Sequence, residues 1–318
     1  RPYPYEVLDE AWREVLLLQF HDILPGSAIA WVHREAEAKH AEVAVALEEI
    51  IAASVAALVG SGTETLIVNS SPLARAGVAA LAIEPAVAVS ASQVDVITTA
   101  DSWRLSNGQL VVDVAADGSL AGLSGANGRN ALAPNSVAKL RLHRDLPNLW
   151  DAWDLDAHYK RTVTELDTAS SVAVEHGDDG AVALVSVRST GVSTITQRLV
   201  LRPGATALDI ELDIDWRDDE KILKFAFPLD VRADRSAAET QFGHVFRSTH
   251  TNTSWDAARF ETCQHRWLHL GEPGFGVAIA NDSTYGYDVE RVTRDDGGTT
   301  TTARFSIIRA PKFPDPES

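Results

Sequence analysis

The sequence predicts an α+β protein, mainly β, in which a short helical hairpin precedes a large antiparallel β-sandwich. Three observations carry that expectation. Apolar side chains recur every three or four positions through residues 6–58, and from Thr65 onward the period becomes two. The alternating runs are separated by turn signals such as Asp117-Gly118, Pro203-Gly204 and Asp296-Gly297-Gly298, with no helix-length pattern between them. A parallel sheet would need such helices, so the strands are expected to pair antiparallel.

In the first helix Leu8, Trp12, Val15 and Leu16 mark one stripe. Pro25-Gly26 stops it, and Ser27 offers a side-chain oxygen as N-cap for the next helix. Ile29, Val32, Ala36, His40, Val43, Leu47 and Ile50 form the second stripe, which Gly60-Ser61-Gly62 closes. Two helices bury little by themselves, so this pair is read as part of a three-helix bundle or as docked on another domain. The runs LIVNSS, GVAALAIE, QLVVDVAADGSL, VAKLRLHR, AVALVSVRST, STITQRLVLR, ALDIELDIDW, KILKFAFPLD, GFGVAIAND and TARFSIIRA read as strands. Strict alternation from Leu208 to Trp216 predicts a strand with one wet face. The expected organisation is a helical middle domain over 1–62, a small β connecting segment over 63–98, and a β-sandwich over 99–318 that is truncated at its end. No methionine occurs, even at position 1, and the end APKFPDPES is Pro-rich. Both ends are therefore read as cut, and the chain as a piece of something larger.

An apolar content of 45% with 23% charged residues describes a chain able to bury a sizeable core. A net charge of −17 argues against nucleic acid, whose phosphates demand a basic face. A neutral sugar is not repelled by such a surface. No run is long enough to span a membrane, and RPYPYEVLDE is not a signal peptide. The single cysteine, Cys263, excludes a disulfide framework and fits a reducing compartment, so a cytoplasmic location is expected. It reads most simply as a small buried side chain.

Three stretches could hold chemistry. His21 and Asp22 sit where the first helix ends, the one place where adjacent helical residues can converge on a ligand. A neutral imidazole can bind a metal and a carboxylate can accept from a sugar hydroxyl. Equally, a histidine at a helix C-terminus is favoured by the macrodipole alone. His143-Arg144-Asp145 is an H-x-D triplet whose ends would share a strand face, and it leads into DLPNLWDAWDLDAHY. There Trp150 and Trp153 alternate with Asp151, Asp154 and Asp156, a mixture that suits a carbohydrate and also suits a surface hairpin with core tryptophans. Residues 242–270 hold several histidines with Trp255 and Trp267. Their strand-like pattern removes the helical geometry of an i,i+4 zinc pair, and a structural role is the simpler reading. No nucleophile elbow, phosphate loop or dinucleotide fingerprint is present.

At AWREVLLLQFHDILPGSAIAWVHREAEAKH the chain resembles the middle region of family 38 glycoside hydrolases, the class II α-mannosidases. The resemblance continues through NSSPLARAGV, Leu105–Leu120, HRDLPNLWDAWD, THTNTSWDAARFE, NDSTYGYD and RAPKFPDPE. It implies a parent enzyme that is a zinc-dependent retaining exo-α-mannosidase acting on terminal α-linked mannose of oligosaccharides or glycans. It also implies an N-terminal catalytic domain, absent here, that supplies nucleophile, general acid and the other zinc ligands. No catalytic residue then lies in this fragment, which by itself is expected to be inactive. His21 maps onto the metal ligand of the middle domain, zinc or another divalent ion, and Asp22 onto a sugar contact. Asp151, Trp150 and Trp153 are further substrate-binding candidates, and His143–Asp145 is set aside as not the family's metal pair. The implied partners are an α-mannoside and the catalytic domain, with homo-oligomerisation left open by the uncovered helical stripe. The alternatives are a non-catalytic carbohydrate-binding sandwich using Trp150, Trp153 and Trp255, and a structural assembly module.

Overall fold

The structure, a computed structural model, describes residues 2–75, 77–86 and 93–314. The chain forms two compact units, Arg1–Ser90 with Phe313–Ser318, and Ala91–Lys312.

In the first unit α1 (Tyr5–Leu18) packs on α2 (Ala30–Val59). Their contact buries Ala11 and Leu18 of α1 and Ala30, Ala36 and Val43 of α2. These are mostly small side chains, which let two helices approach closely. Trp12 and Leu16, expected on the buried stripe, are 63% and 59% exposed. They follow Ala11 and Val15 by one position, about 100° round the helix, and one partner helix covers only one of the two apolar faces. No third helix appears among the described residues of this unit. Ser27 does not cap α2. The N-cap is Ile29, without a side-chain cap, and the Ser27 hydroxyl instead donates to Asp22 Oδ1 at 3.3 Å. Gly60 ends α2 as expected, with φ +69° and its N–H donating to Ala56 O at 3.0 Å. Beyond it β1 (Leu66–Asn69) pairs antiparallel with β2 (Ala82–Pro85). Buried Asn69 organises the intervening loop by donating to the carbonyls of Leu73, Val78 and Ala79.

The second unit is mainly β. Its strands are β3 (Asp95–Thr98), β4 (Ser102–Ser106), β5 (Val111–Ala115), β6 (Leu120–Ser124), β7 (Lys139–Arg144), β8 (Val163–Glu165), β9 (Ser171–His176), β10 (Val182–Ser189), β11 (Thr194–Leu201) and β12 (Asp209–Asp215). They continue with β13 (Lys221–Leu229), β14 (Arg235–Thr240), β15 (Gly243–Ser248), β16 (Thr262–Cys263), β17 (Trp267–Glu272), β18 (Phe275–Ala280), β19 (Gly286–Thr293) and β20 (Thr299–Ala310). All named pairs are antiparallel, as the sequence predicts. A one-turn helix, α3 (Ser254–Ala257), and a 3-10 turn, Ala157–Arg161, interrupt them.

The strands form four sheets, not the two face-to-face layers expected of a sandwich. Their orders are β3-β4-β5-β6, β12-β11-β10-β9, β15-β14-β17-β18 and β16-β19-β20-β13-β7-β8. One core joins them, with Leu105, Val112, Leu184, Leu199, Phe225, Leu268 and Phe305 from all four. A two-layer arrangement gives each strand one dry face. Here β13 is almost wholly buried between β7 and β20, while β12 alternates half-buried Ile210, Leu212 and Ile214 with exposed carboxylates. Gly118, at φ +77°, makes the β5–β6 turn at a close approach, since a Cβ there would stand 2.5 Å from the Ser186 Cβ.

Candidate functional site

α1 ends in successive tight turns that present His21 and Asp22. The Ile23 and Leu24 N–H groups both donate to Phe20 O, and Gly26 takes φ +78° to reverse the chain. His21 Nε2 lies 3.4 Å from Asp22 Oδ2, and the two side chains are 78% and 39% exposed. The Phe20 ring packs against the imidazole with centroids 4.2 Å apart. The Ser27 hydroxyl fixes the other Asp22 oxygen. The corner thus offers an accessible imidazole and an oriented carboxylate, both of which suit a divalent metal or a hydroxylated ligand. Zinc takes three or four protein donors. Among the described residues no group of three or more His, Cys, Asp or Glu is placed to hold a metal ion. His21 therefore fits a zinc shell only as one donor to it.

In the second unit the loop after β7 carries Trp150, Asp151 and Trp153. Arg309 on β20 holds it in place. Its Nε donates to Asp145 Oδ2 at 2.6 Å, its Nη1 to Ala152 O at 3.0 Å, and its Nη2 to the carbonyls of Asp151 and Asp154. Asp151 Oδ2 accepts the Lys312 N–H at 2.8 Å. Burial pushes the Asp145 carboxyl above its ordinary value, against the pull of Arg309. So clamped, Trp150 and Trp153 stand 66% and 53% exposed, and they are not the core tryptophans of a hairpin. Trp150 adopts φ +58° within this loop. In the H-x-D triplet Asp145 serves Arg309, and buried His143 places Nδ1 3.4 Å from Tyr159 O. Burial, with Lys224 and Arg304 nearby, lowers the His143 pKa to about 4 despite the Tyr159 carbonyl.

Beneath this loop lies a cluster that sequence reasoning did not single out. Lys224, fully buried on β13, donates to Tyr159 Oη at 3.0 Å, Glu261 Oε2 at 2.7 Å and Asp288 Oδ2 at 2.7 Å. Lys160 and Arg304 donate to the other Asp288 oxygen at 2.9 and 2.5 Å. Burial alone would raise the Asp288 pKa, yet Lys224, Arg304 and Lys160 together hold it well below the usual carboxylate range. Burial, with the neighbouring Asp288 and Glu261 carboxylates, raises the Tyr159 hydroxyl. The available signal was Lys224 itself, a cation within the otherwise apolar run ILKFAFPL, residues 222–229.

The histidines of 242–270 are scattered. His269 lies over Gly271 and Gly276, where a Cβ would come within 2.6 Å of its ring, and His250 Nδ1 stands 3.6 Å from Asp256. Asp256 closes a capping box with Thr253, which leaves Trp255 77% exposed on α3. Cys263 is exposed, not buried.

With this geometry in place, residues 105–317 match the model of the glycosyl hydrolases family 38 C-terminal domain, and residues 1–58 that of the alpha mannosidase middle domain. The chain belongs to glycosyl hydrolase family 38. It is 34% identical to alpha-mannosidase 2C1 of Homo sapiens over 98% of its own length and 32% of that protein's. It is 30% identical to the alpha-mannosidase of Saccharomyces cerevisiae, again over 98% of this chain and 30% of the relative. The chain thus spans about a third of the curated relatives it matches. Its fold is similar to that of an alpha-mannosidase from Enterococcus faecalis V583, with a TM-score of 0.64, 13% identity, and coverage of 97% of this chain and 47% of that one. The family assignment gives the helical corner and the β unit their place as middle and C-terminal regions. No described helix is long and apolar enough to cross a membrane.

Proposed function

We propose that this chain is the middle and C-terminal part of a zinc-dependent, retaining exo-α-mannosidase that removes terminal α-linked mannose from oligosaccharides. The observation that carries the reading is the His21–Asp22 corner, an accessible imidazole beside an oriented carboxylate in a chain of this family. His21 would give one lone pair to the metal. When bound, zinc would hold sugar hydroxyls and stabilise charge developing at the ring. Asp22, oriented by Ser27, accepts a hydrogen bond from a mannose hydroxyl. In the second unit Trp150 and Trp153 offer apolar ring faces to a sugar, and Asp151 lies between them on the loop that Arg309 holds. A nucleophile and general acid on paired carboxylates come from a catalytic domain outside these residues. The protein acts in the cytoplasm, consistent with a lone free cysteine.

The 318-residue chain with stoichiometric zinc should not turn over p-nitrophenyl α-mannoside, and measurable turnover overturns this division of labour. The exposed Trp150, Trp153 and Trp255 of the second unit favour a second reading, a non-catalytic carbohydrate-binding module. Titration calorimetry with mannose separates the two. Saturable heat lost on Trp150→Ala, in an intact protein without mannosidase activity, would support the second.

A further inference from the structure

The β15-β14-β17-β18 sheet turns one face to the core and one face outward. Ala238, Leu268 and Leu270 point into the core, so their neighbours along each strand face out. The register sets Phe246, Ala237 and His269 in one row across β15, β14 and β17 on that outer face. Two residues further along, His244 stands opposite Glu239, and its ring meets Trp267 of β17 with centroids 5.9 Å apart. Four rings thus share one surface. Strands about 4.8 Å apart, with a rise of about 3.4 Å per residue, put the positions that carry them at the corners of a patch roughly 10 by 7 Å. Phe246, His244 and His269 are exposed, and Trp267 is half-buried.

Local packing fixes these rings in place. His269 occupies the space above the cross-strand pair Gly271 and Gly276, where a Cβ on either glycine would come within 2.6 Å of its ring. His244 stands edge-on to Phe246 at 5.0 Å, and the Arg235 guanidinium backs the Phe246 ring at 4.3 Å. Glu239, on the strand between, accepts from the Arg266 side chain at 2.7 Å and from its N–H at 3.0 Å. No hydrogen bond ties up either imidazole among the described residues. Apolar ring faces therefore alternate with imidazole, carboxylate and guanidinium groups that donate to or accept from hydroxyls. A protein surface laid here would strip water from Arg235, Arg266 and both imidazoles, which is costly unless each finds a new partner. A sugar supplies both C–H faces for the rings and hydroxyls for the polar groups. It is also neutral, so the net charge of −17 does not repel it.

We propose that this face is a carbohydrate-binding surface, separate from the loop of Trp150 and Trp153, that takes two linked mannose units of an oligosaccharide. The sugar C–H faces lie on Phe246 and His269, and Glu239, Arg266 and His244 bond its hydroxyls. The site itself stands on the geometry of the sheet, and the choice of mannose rests on the function proposed above.

The test is titration calorimetry with α-linked mannobiose on the 318-residue chain carrying Trp150→Ala and Trp153→Ala, which removes the loop as a source of heat. This protein should still bind the disaccharide saturably. Adding Phe246→Ala, at an exposed position, should weaken binding at least tenfold with unchanged circular dichroism. Gly276→Ala removes no ring but drives a Cβ into the place of His269, and it should weaken binding by a similar factor. Absence of saturable heat in the loop variant, or binding indifferent to both Phe246→Ala and Gly276→Ala, would overturn the proposal. Light scattering on the same samples adds a further outcome. Dimerisation abolished by Phe246→Ala, without sugar heat, would assign the face to a second copy and overturn the proposal as well. Failure of the mannosidase reading shows separately, as turnover of p-nitrophenyl α-mannoside by the 318-residue chain, and leaves this binding measurement unaffected.

Discussion

Acidification should weaken this fold through one buried histidine. His143 is 3% exposed, and its Nε2 has no hydrogen-bond partner among the described residues. Its neighbours are the Tyr159 carbonyl, Lys224, Arg304 and Asp288, and burial dominates their sum. The pKa falls from 6.5 to about 4, so between those values the unfolded chain binds a proton that the folded chain refuses. The stabilisation is complete above about pH 6.5 and is lost as the pH falls toward 4. At 1.36 kcal/mol per pH unit, the loss between pH 7 and pH 4 is about 3 kcal/mol. His143→Phe keeps a ring against Tyr159, where the two aromatic centroids are 5.2 Å apart, and removes the titration. Urea midpoints of both proteins, followed by tryptophan fluorescence from pH 7 to pH 4, isolate this residue, because other groups titrate alike in both. The wild type should lose about 3 kcal/mol relative to the variant over that range. Parallel profiles would refute the claim that His143 is held neutral by burial.

Three further expectations concern the β unit. Lys224→Met removes the buried cation that Asp288 and Glu261 share, though Asp288 keeps Lys160 and Arg304, and should cost about 3 kcal/mol, read as a lowered urea midpoint; an unchanged midpoint would contradict the network. Arg309→Lys keeps a charge for Asp145 but loses the fork that holds the carbonyls of Asp151, Ala152 and Asp154, so limited proteolysis should cut within 145–156 sooner than in wild type. Equal protection would show that the clamp is dispensable. Gly118→Ala meets both a φ of +77° and the Ser186 Cβ at 2.5 Å, and should destabilise by on the order of 3 kcal/mol in the same urea assay. A neutral substitution would mean that the turn relaxes freely.

The helical hairpin and about half of the strands were legible because burial imposes periods that a single sequence displays. The turn at Asp117-Gly118 falls where expected, but α1 ends at Leu18, ahead of the expected stop at Pro25-Gly26, which instead closes the run of turns that follows the helix. Strands β14 and β15 were not separated from the histidine-rich stretch, because outward-facing His244 and Phe246 spoil the polar alternation of a wet face. The partition into four sheets was invisible for a different reason. β13 meets β7 and β20 across some 80 residues of intervening chain on either side, and local patterning carries no information on such pairings. Trp12 and Leu16 misled because an apolar stripe shows that a face is covered by something, not that the neighbouring helix covers it. His21 and Asp22 were legible as a pair, since a helix stop beside them is a local signal. The Arg309 clamp joins positions more than 150 residues apart, and only the fold brings them together.

The central claim is that His21 supplies one metal ligand to a mannosidase whose remaining machinery lies outside this chain. Its most direct measurement is zinc-dependent turnover of p-nitrophenyl α-mannoside by the protein made from the complete reading frame, wild type against His21→Ala, with bound zinc determined on the same samples. The account predicts that the variant loses most of its activity and its zinc together, at unchanged circular dichroism. Wild-type turnover and full zinc content in His21→Ala would contradict it.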